Sequence, residues 1–523
     1  LADARTYLGW LIAYVLALIL VLHATPVLIY PTLRYSWAWK HVSIIDYLVR
    51  HGAVDPDGGE LAAYHQWPGF FAFNAFLVRL AGIESTLHYA EWAPVFFNAA
   101  MLIPLMLLYR LVTHNRQLLW GALWVFYSCS WVGQDYFSPQ ATAFLLYLVV
   151  VAIVLRRFSR TRTPTRHSGG DVPAPPPPAT PKRHRIAWTV LLVPLMLAVA
   201  STHQLTPLMM LAALGVIVLL RRYRNFGLLV VAVVIVVAWN STVARPLLES
   251  RLHELIAGLG RLRENATGGF VDLGEAARGQ VIVAWADRIL SAGVWVLAFL
   301  GAWLRPGLRR AGFPVLLLAV APLPFFAAGN YGGEIIFRVY LFALPATAFF
   351  AAAVLLPIRK RWVGVLGTPL LFLLMITGFF FGHFGKEQSN YFTPDEVALV
   401  QRLTTTAEEG SLILAPSLNM PAIHDNYERY YRLSFENLPP EYRERLLDDP
   451  VNTVIGLMDE APPGKPGYFV VTRAQRAWLE TTGLLPQGSV TWVQQEIERS
   501  GRFTVVDRNS AGVVFRFDPG SRR

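Results

Sequence analysis

The feature that most limits what this chain can become is a series of long apolar runs. A helix needs roughly 17 to 25 predominantly apolar residues to cross a bilayer. Such runs recur near Tyr7–Tyr30, Ala90–Tyr109, Gln117–Gly133, Pro139–Leu155, Ile186–Ser201, Leu205–Leu220, Phe226–Trp239, Asp287–Leu304, Phe313–Ala328, Ile335–Leu356 and Val363–Phe381. They predict an α-helical polytopic membrane protein with about 11 transmembrane helices. Composition agrees: 54% of the 523 residues are hydrophobic and 15% charged, with a mean hydropathy of +0.40, too apolar for a soluble domain. The first run lacks a small-residue cleavage site, so it reads as a helix that stays in place. Phe70–Leu80 is short for a span and is expected to be re-entrant or interfacial.

A net charge of +11 would suit a nucleic-acid partner if it were spread over one face. Here the cations cluster beside apolar runs, at Arg110–Arg116, Arg156–Arg166, Lys182–Arg185, Arg221–Arg224, Arg305–Arg310 and Arg359–Arg361. That is the positive-inside pattern, so the charge reports topology and anionic lipid. With the N-terminus cytoplasmic, all these connections fall on the cytoplasmic side. The expected location is therefore the plasma (inner) membrane, multi-pass. Cys129, the single cysteine, can form no intrachain disulfide.

The organisation expected is a transmembrane domain over residues 1–384, with a first outer loop at 31–89 and a cytoplasmic Pro-rich linker at 159–185, followed by a soluble α/β domain at 385–523. By the helix count that last domain is extracytoplasmic. Its strand-like runs are Ser411–Ala415, Tyr468–Thr472, Phe503–Asp507 and Val513–Phe517, and its helical patterns are Thr393–Thr406 and Ser489–Ser500. The amphipathic piece Leu247–Arg263 is expected to lie along the outer face.

Polar residues collect in five places on that same outer side: the loop from Arg34 to Gly69, GQDYFSPQ at 133–140, STHQLTP at 201–207, AWADR at 284–288, and GNYGGEIIFR at 329–338. Ionisable groups at helix ends in a bilayer are costly unless partnered or wet, which makes a one-sided collection a candidate site. Glu334 and Arg338 are four apart, on one helical face. Either they form a structural ion pair, or Arg338 grips a phosphate bidentately while Glu334 orients it. Asp135, with Gln134, Tyr136 and Gln140 beside it, is either catalytic or a helix cap ahead of Pro139. His203 is either a structural histidine or a substrate contact. A metal site drawn from His41, His65, Asp46 and Asp135 has no HxxxH or CxxC spacing behind it, so no metal ligand is assigned; a divalent cation stays as an alternative. No GxGxxG follows a strand and no phosphate-binding P-loop occurs, so no nucleotide cofactor is expected.

The first helix, the aromatic first outer loop with IIDYLVRHG and YHQWPGF, the second loop with QDYFSPQ, and the C-terminal α/β domain together resemble the GT-C superfamily of membrane glycosyltransferases. The resemblance implies an inverting enzyme that moves a sugar from a polyprenyl-phosphate donor to a glycan, lipid or protein acceptor of the cell envelope. It implies Asp135 or Asp46 as the base. That family usually carries an acid soon after the first helix, whereas RYSWAWKH has none before Asp46. Arg338, Lys40, His41 and Arg288 would meet the donor phosphate. Trp39, His65, Trp67, Gln134, Tyr136, Gln140, His203 and Glu334 would line the substrate site. The competing readings are a transporter, flippase or polymerase of lipid-linked glycans, and a non-catalytic membrane scaffold.

Overall fold

Each of the eleven apolar runs forms a helix in the computed structural model, which describes residues 2–158, 174, 180–219, 226–356, 366–459 and 462–519. Most of the Pro-rich linker and the clusters Arg221–Arg224 and Arg359–Arg361 lie outside the described residues. The reason for the helices is general: in lipid an unpaired backbone amide has no water to turn to, and a helix satisfies its amides internally. Among the described residues six helices are long and apolar enough to cross a membrane, namely Gly9–Ile29, Pro139–Arg157, Lys182–Thr202, Arg278–Leu304, Ile335–Leu355 and Thr368–Asn390. The other five runs give shorter helices, among them Ala93–Tyr109 and Arg116–Cys129. The run Phe70–Leu80 is likewise a short helix, Gly69–Ala81.

Helix α1, Ala2–Ile19, does not end where its α-geometry does. It passes through a π-helical turn, Leu20–Ala24, into a last turn Thr25–Ile29. Pro26 has no N–H to donate back and its ring crowds the preceding turn, which is a physical cause for the wider turn there. The juxtamembrane helix α2, Ser36–His51, follows. Helix α3, Arg278–Leu304, packs on α4, Ile335–Leu355, which is the centre of the bundle because almost nine-tenths of it is buried. Their approach is close enough that a Cβ on Gly301 would overlap the Phe350 carbonyl.

Beyond the last span a five-stranded sheet is built from β1 (Leu412–Ala415), β2 (Tyr431–Ser434), β3 (Gly467–Thr472), β4 (Thr504–Asn509) and β5 (Gly512–Phe517), in the order β2-β1-β3-β5-β4. β1 runs parallel to β2 and β3, while β5 is antiparallel to β3 and β4. Side chains alternate across this sheet. Ile413, Tyr468, Val470 and Val514 join the hydrophobic core that continues into the bundle, and Leu414, Phe469, Val471, Val513 and Phe515 form a second core under the outer helices. The sheet is thereby docked on the membrane part. Two polar contacts lock α2 to it, Ser43 Oγ to Asp425 Oδ1 at 2.6 Å and Arg50 to Glu428 at 2.6 Å, and further along the first loop His65 Nε2 meets the Tyr427 hydroxyl at 2.6 Å.

The amphipathic piece Leu247–Arg263 falls on three short helices, Arg245–Ser250, Leu252–Ala257 and Leu262–Thr267. Gly260, at φ 79°, turns the chain before the last of them. The sheet also has a fifth strand, β2, that the alternation of its sequence YRLS did not announce.

Candidate active site

The loop between the helices Arg116–Cys129 and Pro139–Arg157 is where the parts meet. Ser138, not Asp135, caps the helix Pro139–Arg157: its Oγ accepts the Ala141 N–H at 3.1 Å, with Pro139 at the first helical position. Asp135 is thus released from capping. Its Oδ2 lies 3.0 Å from Nδ1 of His23 in the π-helical turn, and accepts the Asn98 amide at 2.6 Å. Burial would raise its carboxyl, but His23, His383 and Asn98 outweigh burial and hold it well below the usual carboxylate range. Asp135 is therefore an anion.

Asp135, Tyr35 and Tyr136 line a cleft of about 950 Å³, counting the part open to solvent. His23, His383, Arg34 and Lys386 line it too. Arg34 is held in place by a bidentate pair with Glu387, and its Nη2 donates to the His383 carbonyl at 3.3 Å.

On the other side of Tyr136 lies a buried guanidinium. Arg338, 6% exposed, pairs through Nη2 with Glu334, while its Nε and Nη1 are buried with no hydrogen-bond partner. Tyr35, Tyr64, Tyr136 and Tyr331 all lie within its electrostatic reach. Burial pushes the Tyr35 and Tyr331 hydroxyls up to about 12, so both stay protonated donors at neutral pH. Two of the four sit at backbone angles that bulky residues rarely adopt, Tyr35 at φ 81° and Tyr331 at φ 52°. Local strain of this kind costs of order 1–3 kcal/mol and gathers at functional sites. A buried cation with spare donors, ringed by hydroxyls, is suited to an anion.

The two histidines nearby are neutral. His41 donates from Nδ1 to the Phe137 carbonyl at 2.8 Å and stacks on Tyr136, with ring centroids 5.7 Å apart. Burial lowers it to about 3, so it positions Tyr136 and adds no positive charge. His203 accepts the Leu205 and Thr206 N–H groups on Nδ1, each at 3.2 Å, which leaves its ring proton on Nε2. Burial, then Arg338, lowers it well below the ordinary histidine value.

Other candidates sit elsewhere. Lys40 lies 3.8 Å from the Trp37 ring centroid, and its charged neighbours are Glu60, Arg432 and Glu436; burial lowers it to about 8. Arg288 stacks its guanidinium on Phe270 and Trp285, at 4.9 and 5.4 Å. Trp39 donates to the Leu33 carbonyl at 2.8 Å. His65 accepts the Asp55 N–H at 3.1 Å, and Trp67 is buried. Gln134 Oε1 and both polar side-chain atoms of Gln140 are buried without a partner.

Asp46 faces Ser85, at 3.4 Å, and is coupled to Asp425. Burial and then Asp425 push Asp46 up to about 7, and burial pushes Asp425 up to about 6. A carboxyl raised from 3.8 in the fold makes stability fall as pH rises between about 4 and about 7, because the folded state alone retains the proton there. Asp46→Asn removes that cost. Its melting advantage over wild type should widen from pH ~5 to pH ~8 to about 1 kcal/mol or more. Thermal unfolding in detergent at the two pH values measures it, and an advantage that shrinks would refute the pairing.

Reasoning from sequence passed over His23, His383, Tyr35, Tyr331, Arg34 and Asn98. The two histidines carried a signal: each is an ionisable group inside an apolar run, which is costly without a purpose.

The helical bundle and the docked sheet define a polytopic helical membrane protein with a C-terminal sheet domain. No protein-family model matches the chain, and no curated protein matches it in sequence. Among solved structures, the chain is similar to ArnT from Cupriavidus metallidurans bound to undecaprenyl phosphate, with a TM-score of 0.54 and 14% identity over 98% of each chain. The same protein in its apo state gives 0.53 and 12%. The Archaeoglobus fulgidus oligosaccharyltransferase tethered to an acceptor peptide gives 0.54 and 10%, over 96% of this chain and 73% of the other. At these identities the likeness is one of fold, and it runs almost end to end.

Proposed function

We infer that this chain is a glycosyltransferase that moves a sugar from a polyprenyl-phosphate donor to an acceptor of the cell envelope, at the outer face of the plasma membrane. The observation that carries the reading is Arg338: a buried guanidinium with two unpartnered donors, inside a ring of tyrosines, one residue removed from an anionic Asp135. The fold shared with a protein solved with undecaprenyl phosphate supports it.

In this reading the donor's phosphate meets Arg338 Nε and Nη1, aided by protonated tyrosine hydroxyls. Charge that grows on the departing phosphate is met by donors already in position, in a site poor in water. The acceptor hydroxyl enters through the cleft. Its proton goes to Asp135, whose two polar contacts both fall on Oδ2 and leave Oδ1 for that task. Direct attack from the opposite face inverts the anomeric centre. Asp46, which faces Ser85, takes no part in transfer, and the sheet domain in this reading is extracytoplasmic.

The test is transfer from radiolabelled polyprenyl-phosphate sugars by the purified protein in nanodiscs. Product that depends on both donor and protein is expected. No transfer from a panel of donors, by protein that still binds polyprenyl phosphate, would turn the reading towards transport.

A further inference from the structure

The transfer reaction asks for Asp135 but gives no reason for His23 and His383 to lie against it. We propose that they form a binding site for a single divalent transition-metal ion of the zinc type.

The three residues come from the π-helical turn after α1, the second outer loop and the end of the last span, so only the tertiary fold assembles them. One donor atom from each lies within 4.8 Å of the other two. The His23 Nδ1 to Asp135 Oδ2 separation is 3.0 Å. Ligands about 2.0–2.1 Å from a tetrahedral ion stand roughly 3.3 Å apart, so small side-chain adjustments would admit one.

An ordinary histidine–carboxylate pair accounts for the cluster less well. His23 is 2% exposed and His383 8%; His23 Nδ1 faces Asp135 Oδ2, but Nε2 of the same ring is buried with no hydrogen-bond partner. Buried polar atoms are normally satisfied, so a buried imidazole that leaves one nitrogen unpaired beside a carboxylate and a second histidine points to a partner of another kind. The support around the site is also that of a ligand set. Asn98 donates to Asp135 Oδ2 at 2.6 Å and is itself fixed by donating to the Pro94 carbonyl at 2.8 Å. Gly133 and Gly382 flank His383: a Cβ on the first would come within 3.7 Å of the imidazole, and one on the second would overlap Asp287.

Two imidazoles and one carboxylate favour zinc, cobalt or nickel over magnesium or calcium, which prefer oxygen ligands. Three protein ligands leave a fourth position, and the residues that hold them line the cleft. A metal there would add positive charge beside Asp135. The site does not depend on the transferase reading.

The experiment uses full-length protein carrying no histidine tag, stripped with chelator and returned to detergent. Titration with Zn²⁺ and with Co²⁺, read by elemental analysis and by Co²⁺ visible absorption, should give one ion per chain with the intense bands of a four-coordinate site. His23→Gln and His383→Gln should each weaken uptake at least about 100-fold, with melting and gel filtration of the stripped proteins unchanged. No stoichiometric uptake of either ion, or uptake untouched in the double variant, would overturn the proposal. Neither readout uses sugar transfer, so a failure here leaves the transferase reading standing, and the reverse also holds.

Discussion

Arg338→Met should give a folded protein that has lost about 10²–10³-fold in sugar transfer, the usual cost of deleting a preorganised donor to a developing anion. The side chain is buried, but methionine keeps the packing of its aliphatic stem and removes a charge that is expensive to bury. Glu334, left without its partner, has a side chain 42% exposed and can turn to water. Stability should therefore change far less than activity. Arg338→Lys should recover only part of the rate, since an ammonium cannot present two parallel donors. The contrasting outcome is easy to recognise: if the pair merely ties the helix end together, Glu334→Gln and Arg338→Met will melt alike and transfer will follow the folded fraction.

Asp135→Asn should cost about 10²–10⁴-fold, the range for losing a general base, while Asp46→Asn keeps most of its activity. The amide preserves the contact with Asn98 in one orientation, so the loss would not come from collapse. Initial rates for both variants, measured at equal folded protein, decide between the two acids. A dead Asp46→Asn beside an active Asp135→Asn would move the base to the first loop. It would also mean that Asp46, whose carboxyl burial and Asp425 hold up, gives up its proton in the working enzyme.

How much of this was legible beforehand varies with the kind of signal. QDYFSPQ drew notice as a polar loop between apolar runs, and the structure brings Asp135 and Tyr136 from it to the centre. Glu334 and Arg338 were legible because an i,i+4 pair needs only helical geometry. Tyr35 and Tyr331 were not, since a tyrosine near a helix end ordinarily belongs to the interfacial belt. Lys40 drew attention by its place in the loop, yet it faces the sheet domain, because the face of α2 that it occupies depends on what that helix packs against. The edge strand β2 escaped because it is short and partly exposed, with no buried face to impose alternation.

Spans, helices and most strands follow from local pattern. An apolar run in lipid has to close its own hydrogen bonds, and a strand with two buried faces has to be apolar along its length. The site is of another kind. His23, Asp135 and His383 are separated by more than a hundred residues at each step, and Arg338 meets Tyr35 across three hundred. Nothing local specifies such meetings. They arise from how the helices pack around Ile335–Leu355 and from the π-turn that brings His23 to Asp135, and packing of that sort is a property of the whole chain.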